Sequence, residues 1–129
     1  MTDVETTPIH YKWEQHPLGW VDITTNLLWF NVEPKQYNYD DAIKLFSTSN
    51  KRLPTKQEWQ IAEQHGIRNK FDDFKDAWFW SSSPYGADFA WVFRYGGIGF
   101  DIRDDFDSVR CVCSLHEVQF NKELEELMK

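Results

Sequence analysis

One stretch, between Pro54 and Gly66, already limits the architectures open to this chain, because it carries both the start and the stop of a single short helix. Thr55 offers its hydroxyl as an N-cap, and Glu58, three residues later, completes a capping box. Trp59 and Ala62 fall on the side expected to be buried. Gly66 supplies a left-handed stop, and Ile67 follows it. Upstream, Asn38 with Asp40 and Asp41 in the first turn predicts a shorter helix through Ala42, Ile43, Leu45 and Phe46.

The segments around these helices read as strands. Val21, Ile23, Leu27, Trp29 and Val32 predict a strand or hairpin over residues 20–32, ending at Pro34. Residues 68–77 form a charged connection with Phe71 and Phe74 turned inward. After Pro84, Phe89, Trp91, Phe93 and Tyr95 alternate with Ala90, Val92 and Arg94, the period of two that marks a strand. Gly96, Gly97 and Gly99 then predict a tight turn, residues 100–103 a return strand, residues 104–107 a second turn and residues 108–113 a third strand. The expectation is an antiparallel meander. Ser114 and Glu117 form another capping box, opening a C-terminal helix with Phe120, Leu124, Leu127 and Met128 as its apolar stripe. The predicted class is α+β, with two helices packed on a twisted antiparallel sheet plus a C-terminal helix. The chain divides into a polar lead-in at 1–10, one domain at 11–114 and a helical extension at 115–129.

Composition enters where function is concerned. The 129 residues include seven Trp, five Tyr and ten Phe. Large rings fill a loop-rich core with few side chains, and those left outside make good contact anchors. The net charge of -7 argues against a nucleic-acid or anionic-membrane partner, since no basic stripe exists to neutralise phosphates. No apolar run reaches the length of a membrane span. Residues 1–16 are polar and acidic, unlike a signal or transit peptide, so the expected location is the compartment of synthesis, the cytoplasm. The two cysteines, Cys111 and Cys113, are too close in sequence to staple distant segments, and no disulfide framework is expected.

Two strings carry a resemblance. Arg52-Leu53-Pro54-Thr55 followed by Glu58-Trp59 and Ala62 resembles a signature shared by the formylglycine-generating (sulfatase-modifying) enzymes and the C-terminal domain family of bacterial collagen-like proteins, both of the C-type-lectin fold superfamily. Trp80-Ser81-Ser82-Ser83, then Ala90-Trp91, a glycine turn and Val109-Arg110-Cys111-Val112, is similar to the ending of the collagen-like-protein family. Thr25-Asn26-Leu27-Leu28-Trp29 looks like a third string of that family, with Asn26 in a glycine's place. Together the strings cover about residues 20–113 and imply a C-type-lectin-like fold. The resemblance also implies a disulfide from the Val-Arg-Cys-Val cysteine to a position near Phe46, but no cysteine lies there. The formylglycine-generating enzymes hold copper on a cysteine pair; here only Cys111 and Cys113 exist, and Cys111 belongs to the structural string.

The remaining candidate residues do not assemble a catalytic or metal site. His10, His16, His65 and His116 are scattered, with no i,i+4 zinc pair. The glycines at 96–99 join strands rather than opening a helix, so they do not form a phosphate loop. The tripeptides of calcium-dependent lectins are absent, and Glu33-Pro34-Lys35 places a cation where an oxygen ligand is required. The acids Asp101, Asp104, Asp105 and Asp107 lack the glycine and distal glutamate of a helix-loop-helix calcium site and read as a solvated hairpin tip. No cofactor, metal or catalytic residue is expected. What remains is a surface: Tyr85, Asp88, Asp101, Arg103, Asp104, Asp105, Phe106 and Asp107, where ring and guanidinium anchors sit within an acidic ring. These features predict a non-enzymatic protein-binding module whose partner presents a basic surface. For a small, disulfide-free chain, the resemblance to a fold widely used by phages implies a phage-encoded or virion-associated protein acting in attachment, decoration or inhibition of a host protein, with homo-oligomerisation through the C-terminal helix also open. The alternatives are an exported ligand- or glycan-binding domain and a thiol- or metal-dependent oxidoreductase of the formylglycine-generating type.

Overall fold

A computed structural model describes residues 11–115. The predicted C-terminal helix and the lead-in at 1–10 lie outside the described residues, apart from Leu115. The elements run β1 (Trp13–His16), β2 (Gly19–Asp22), β3 (Leu27–Phe30), α1 (Tyr39–Leu45), β4 (Ser47–Thr48), β5 (Lys51–Arg52), α2 (Lys56–Gln64), a 3-10 turn (Ile67–Asn69), β6 (Phe79–Tyr85), β7 (Phe89–Arg94), β8 (Gly97–Ile102) and β9 (Val112–Ser114). The architecture is α+β with two antiparallel sheets, one of six strands in the order β1-β2-β3-β9-β5-β4 and one of three in the order β6-β7-β8.

Both predicted helices form where their caps place them. The Asn38 side chain accepts from the Asp41 amide at 2.9 Å. At α2, Thr55 Oγ1 accepts from the Glu58 amide at 3.0 Å while Glu58 Oε1 accepts from the Thr55 amide at 2.8 Å. Gly66 is left-handed, with φ 87°. The β2–β3 turn contains the one non-glycine residue with positive φ among those described, Asn26 at 60°. It stands where the resembled string has glycine, and Asn is among the few side chains that tolerate this conformation. At Gly19 a Cβ would lie 1.9 Å from the Trp29 carbonyl oxygen, so no side chain fits between β2 and β3 there.

The expected meander is corrected in its membership. Its three strands are β6, β7 and β8; residues 108–113 leave it and enter the other sheet, where β9 pairs with β3 and β5. The physical reason is two-sided burial. Val109, Arg110, Cys111, Val112 and Cys113 are all buried, which suits a central strand between two clusters. Backbone bonds stitch the crossing segment in place: the Phe30 amide donates to Cys111 O at 2.9 Å, Glu33 to Val109 O at 2.8 Å, and Trp80 to Ser108 O at 3.1 Å. The missed strand, β6, is disguised by three serines and a proline. Its ladder shifts register between Trp80 and Pro84, and Ser81 Oγ repairs the gap by donating to Trp91 O at 2.7 Å and accepting from the Ser83 amide at 3.1 Å.

The main core centres on Trp59, whose ring stacks on Phe93 (centroids 4.6 Å apart, planes 3° apart) and meets Phe74 edge-on. Trp29, Ile67, Phe79 and Val112 complete it. A second cluster, under α1, joins Tyr39 and Ala42 to Trp80, Ala90, Val92 and Cys111. Arg110 is buried beside these aromatics. It pairs with Asp73, donates to Phe30 O at 2.8 Å, and stacks 3.6 Å from the Phe71 ring.

Candidate functional site

The three-stranded sheet places its side chains in rows. Phe79, Phe93 and Ile98 pair across β6, β7 and β8; so do Trp91 with Phe100, and Tyr85 with Phe89 and Ile102. Alternation puts all three rows on one face. Helix α2 lies over the first row, where Trp59 meets Phe79 and Phe93. The helix begins only at Lys56, whose Nζ sits 3.8 Å from the Trp91 ring. Nine residues reach about 13 Å at 1.5 Å per residue, so the helix ends before the sheet does. Beyond it, Tyr85, Phe89, Phe100 and Ile102 are exposed and Trp91 is half-buried.

These rings form one continuous cluster. Tyr85 lies 4.5 Å from Trp91 and 4.9 Å from Phe100, and Phe89 meets Phe100 edge-on at 5.6 Å. The opposite face of the same sheet carries Trp80, Ala90 and Val92 and is sealed in the second cluster. That face is buried at Trp80, Ala90 and Val92, whereas in the three rows on the other face only Phe79 and Phe93 are fully buried. Large contiguous apolar surface left beside charge is what contact sites are made of.

The acidic turn borders this face, because it follows Ile102 directly. Asp88, Asp104, Asp105 and Phe106 are exposed, and Asp101 is half-buried. Arg103 is committed to the fold. Its Nε donates to Phe89 O at 3.1 Å and its Nη2 to Gly86 O at 2.7 Å, while its own amide donates to Asp88 O at 2.9 Å. It clamps the β6–β7 turn to the acidic turn instead of offering a free guanidinium. Asp107 departs from the expected exposed tip. It is buried, and it exchanges both backbone hydrogen bonds with Tyr37, at 2.9 and 3.0 Å. Burial first, then the hydrogen bond with Asp101 and repulsion from Asp101 and Asp105, pushes its carboxyl up to about 8. Asp105 is also raised, chiefly by its hydrogen bond with Asp101 and the repulsion that accompanies it.

Of the residues singled out from sequence, the structure brings Tyr85, Asp88, Asp101, Arg103, Asp104, Asp105 and Phe106 to one end of the small sheet and withdraws Asp107 into the interior. Sequence reasoning missed Phe89, Trp91, Phe100, Ile102 and Lys56. The period of two did put Phe89, Trp91 and Phe93 on one face. Where α2 stops along that face depends on tertiary packing, which no local pattern carries.

Elsewhere, a cavity of about 230 Å³ lies between α2 and the β2–β3 hairpin, lined by Asp22, Thr25, Leu27, Trp29, Glu58, Ile61 and Ala62. Asp22 is buried, accepts from the Thr24 amide at 3.0 Å and holds His65 Nδ1 at 2.6 Å. The pair ties β2 to the end of α2. Neither cysteine is in a disulfide, and burial pushes the Cys111 thiol up to about 12. Among the described residues, no group of three or more His, Cys, Asp or Glu side chains is arranged to hold a metal ion, and no helix is long and apolar enough to cross a membrane. No family model matches the chain, and neither does any curated protein.

Proposed function

We propose that this chain is a non-enzymatic protein-binding module of C-type-lectin-like fold whose contact surface is the uncovered aromatic face of β6, β7 and β8. The observation that carries the reading is the cluster of Tyr85, Phe89 and Phe100 beyond the start of α2, joined to Trp91, which Lys56 partly covers. Aromatic anchors dominate interface energetics, and the acidic side chains of Asp88, Asp104 and Asp105 in the turns at its border favour a partner that brings Lys or Arg. The fold assignment rests on the resembled strings, whose Trp59, Trp80, Arg110 and Cys111 all occupy core positions. Two buried cysteines outside any disulfide suit work in a reducing compartment, a host cytoplasm or a virion, where attachment, decoration or inhibition of a host protein are the roles proposed. The raised Cys111 thiol disfavours the oxidoreductase alternative, since a thiolate is the reactive form.

Affinity capture from lysate of the proposed host, run in parallel on the wild type, Tyr85→Ser, Phe100→Ser and a control Tyr95→Ser, tests the proposal. Tyr95 is a still more exposed ring at the far turn of the β7–β8 hairpin. Species retained by the wild type and the control but lost from both face variants are expected. Identical capture by all four proteins, or capture of none, counts against the aromatic face as a protein-binding surface.

A further inference from the structure

On the six-stranded sheet, Val21 pairs with Leu28 and Leu28 with Cys113, so the three stand side by side on β2, β3 and β9. Their neighbours Trp20, Trp29 and Val112 are paired in the same way and pack in the main core. Alternation therefore turns the row of Val21, Leu28 and Cys113 to the opposite face. Helix α2 is engaged in the main core through Trp59 and Ala62, and α1 packs Tyr39 and Ala42 in the second cluster, which meets the row through Phe30. Yet the three residues are only 4%, 0% and 1% exposed. Among the described residues, the partly buried apolar side chains packed against them are Ile23, Phe30 and Leu115. All three belong to the same strands or their immediate ends. Strand neighbours within a layer do not seal a sheet face from water; a second layer does.

We propose that residues 116–129 of the same chain supply that layer, lying across the row formed by Val21, Leu28 and Cys113, with Phe120, Leu124 and Leu127 as the contacting side chains. The chain itself leads there. It leaves β9 at Leu115, whose amide donates to Asn26 O at 2.6 Å and whose side chain already packs on the row. A helical stretch of the length that remains would reach about 20 Å. Three strands span roughly 10 Å, so the reach suffices. The other terminus starts from the wrong side. Tyr11 stacks on His65 at 3.8 Å, and Trp13 donates to His65 O at 2.7 Å from within the main core, so the first described residues stand on the α2 side.

Thiol reactivity tests the placement, because Cys113 lies in the row and Cys111, under α1, serves as an internal reference. Native full-length protein is treated with iodoacetamide at pH 8, and each cysteine is followed by peptide mass spectrometry. Both should label slowly in the wild type. In Phe120→Asp/Leu124→Asp, and in a chain stopped after Leu115, Cys113 should label at least tenfold faster while Cys111 does not change. An unchanged Cys113 rate in both variants overturns the proposal. So does a wild-type rate that rises on dilution, which would show a second copy acting as the cover. Should a variant unfold and accelerate both cysteines alike, the wild type alone decides: trypsin should cut after Lys122 at least tenfold more slowly in the native chain than in a free peptide of residues 115–129. Equal rates overturn the placement.

Discussion

Asp107 shows most plainly how position alters a residue's chemistry. Its neighbours in sequence are solvent-facing acids, and nothing local distinguishes it from Asp104 or Asp105. The isolated backbone bridge to Tyr37, seventy positions upstream in sequence, is what draws it inside. Its carboxyl is raised from the ordinary 3.8 to about 8, so the native state holds a proton there that the unfolded chain releases. Between those values the native state binds more protons than the unfolded one, and stability falls as pH rises. Thermal melts at pH 5 and pH 8 should show wild type losing more stability over that interval than Asp107→Asn, whose side chain stays neutral; parallel losses would contradict the assignment. Glu58 carries the opposite sign. Burial alone would raise it, but hydrogen bonds from Arg52 at 2.7 and 2.8 Å and from the Thr55 amide outweigh burial and hold its carboxyl below the ordinary range. Its contribution is present above that range and is lost on acidification, so Glu58→Gln should flatten the acid limb of the stability profile.

At the level of elements, α1 and α2 could be read from the chain because their signals are local. Asn38, Thr55, Glu58 and Gly66 act within one turn of where they stand. Thr55→Ala should cost about 1 kcal/mol in denaturant unfolding, the usual worth of such a cap. A loss below a few tenths would mean that the Arg52–Glu58 pair holds the helix start without the box. The strands were harder. The alternation in β7 was plain, and the β2–β3 hairpin showed in its β-branched and aromatic residues. β6 did not show, because Ser81, Ser82, Ser83 and Pro84 weaken the strand signal and the Ser81 hydroxyl, a nonlocal partner of Trp91, restores the lost pairing. The sheet that β9 joins is hidden from the sequence for a related reason. Residues 108–113 look the same whether they pair with β8 or with β3, and only burial on both faces separates the two.

At the scale of the whole molecule, the described residues form two sheets and two α-helices, and the rings of the small sheet are divided between inside and outside by how far α2 covers it. Trp59 joins the helix to both sheets, through Trp29 on one side and Phe79 and Phe93 on the other. Trp59→Ala should lower stability by roughly 3–5 kcal/mol. Phe100→Ser should change it by less than about 1 kcal/mol, because that ring is about half exposed. A surface expected to lose an aromatic residue so cheaply, yet holding four of them in contact, is what the proposed binding role requires. Hydroxyl-radical footprinting of the chain, free and in the complex recovered by affinity capture, addresses this directly because aromatic side chains are read individually. Protection of Tyr85, Phe89, Trp91 and Phe100, with Tyr95 and Leu18 unchanged, is the predicted result. Protection confined to other surfaces, with these four rings as reactive in the complex as in the free chain, would contradict it.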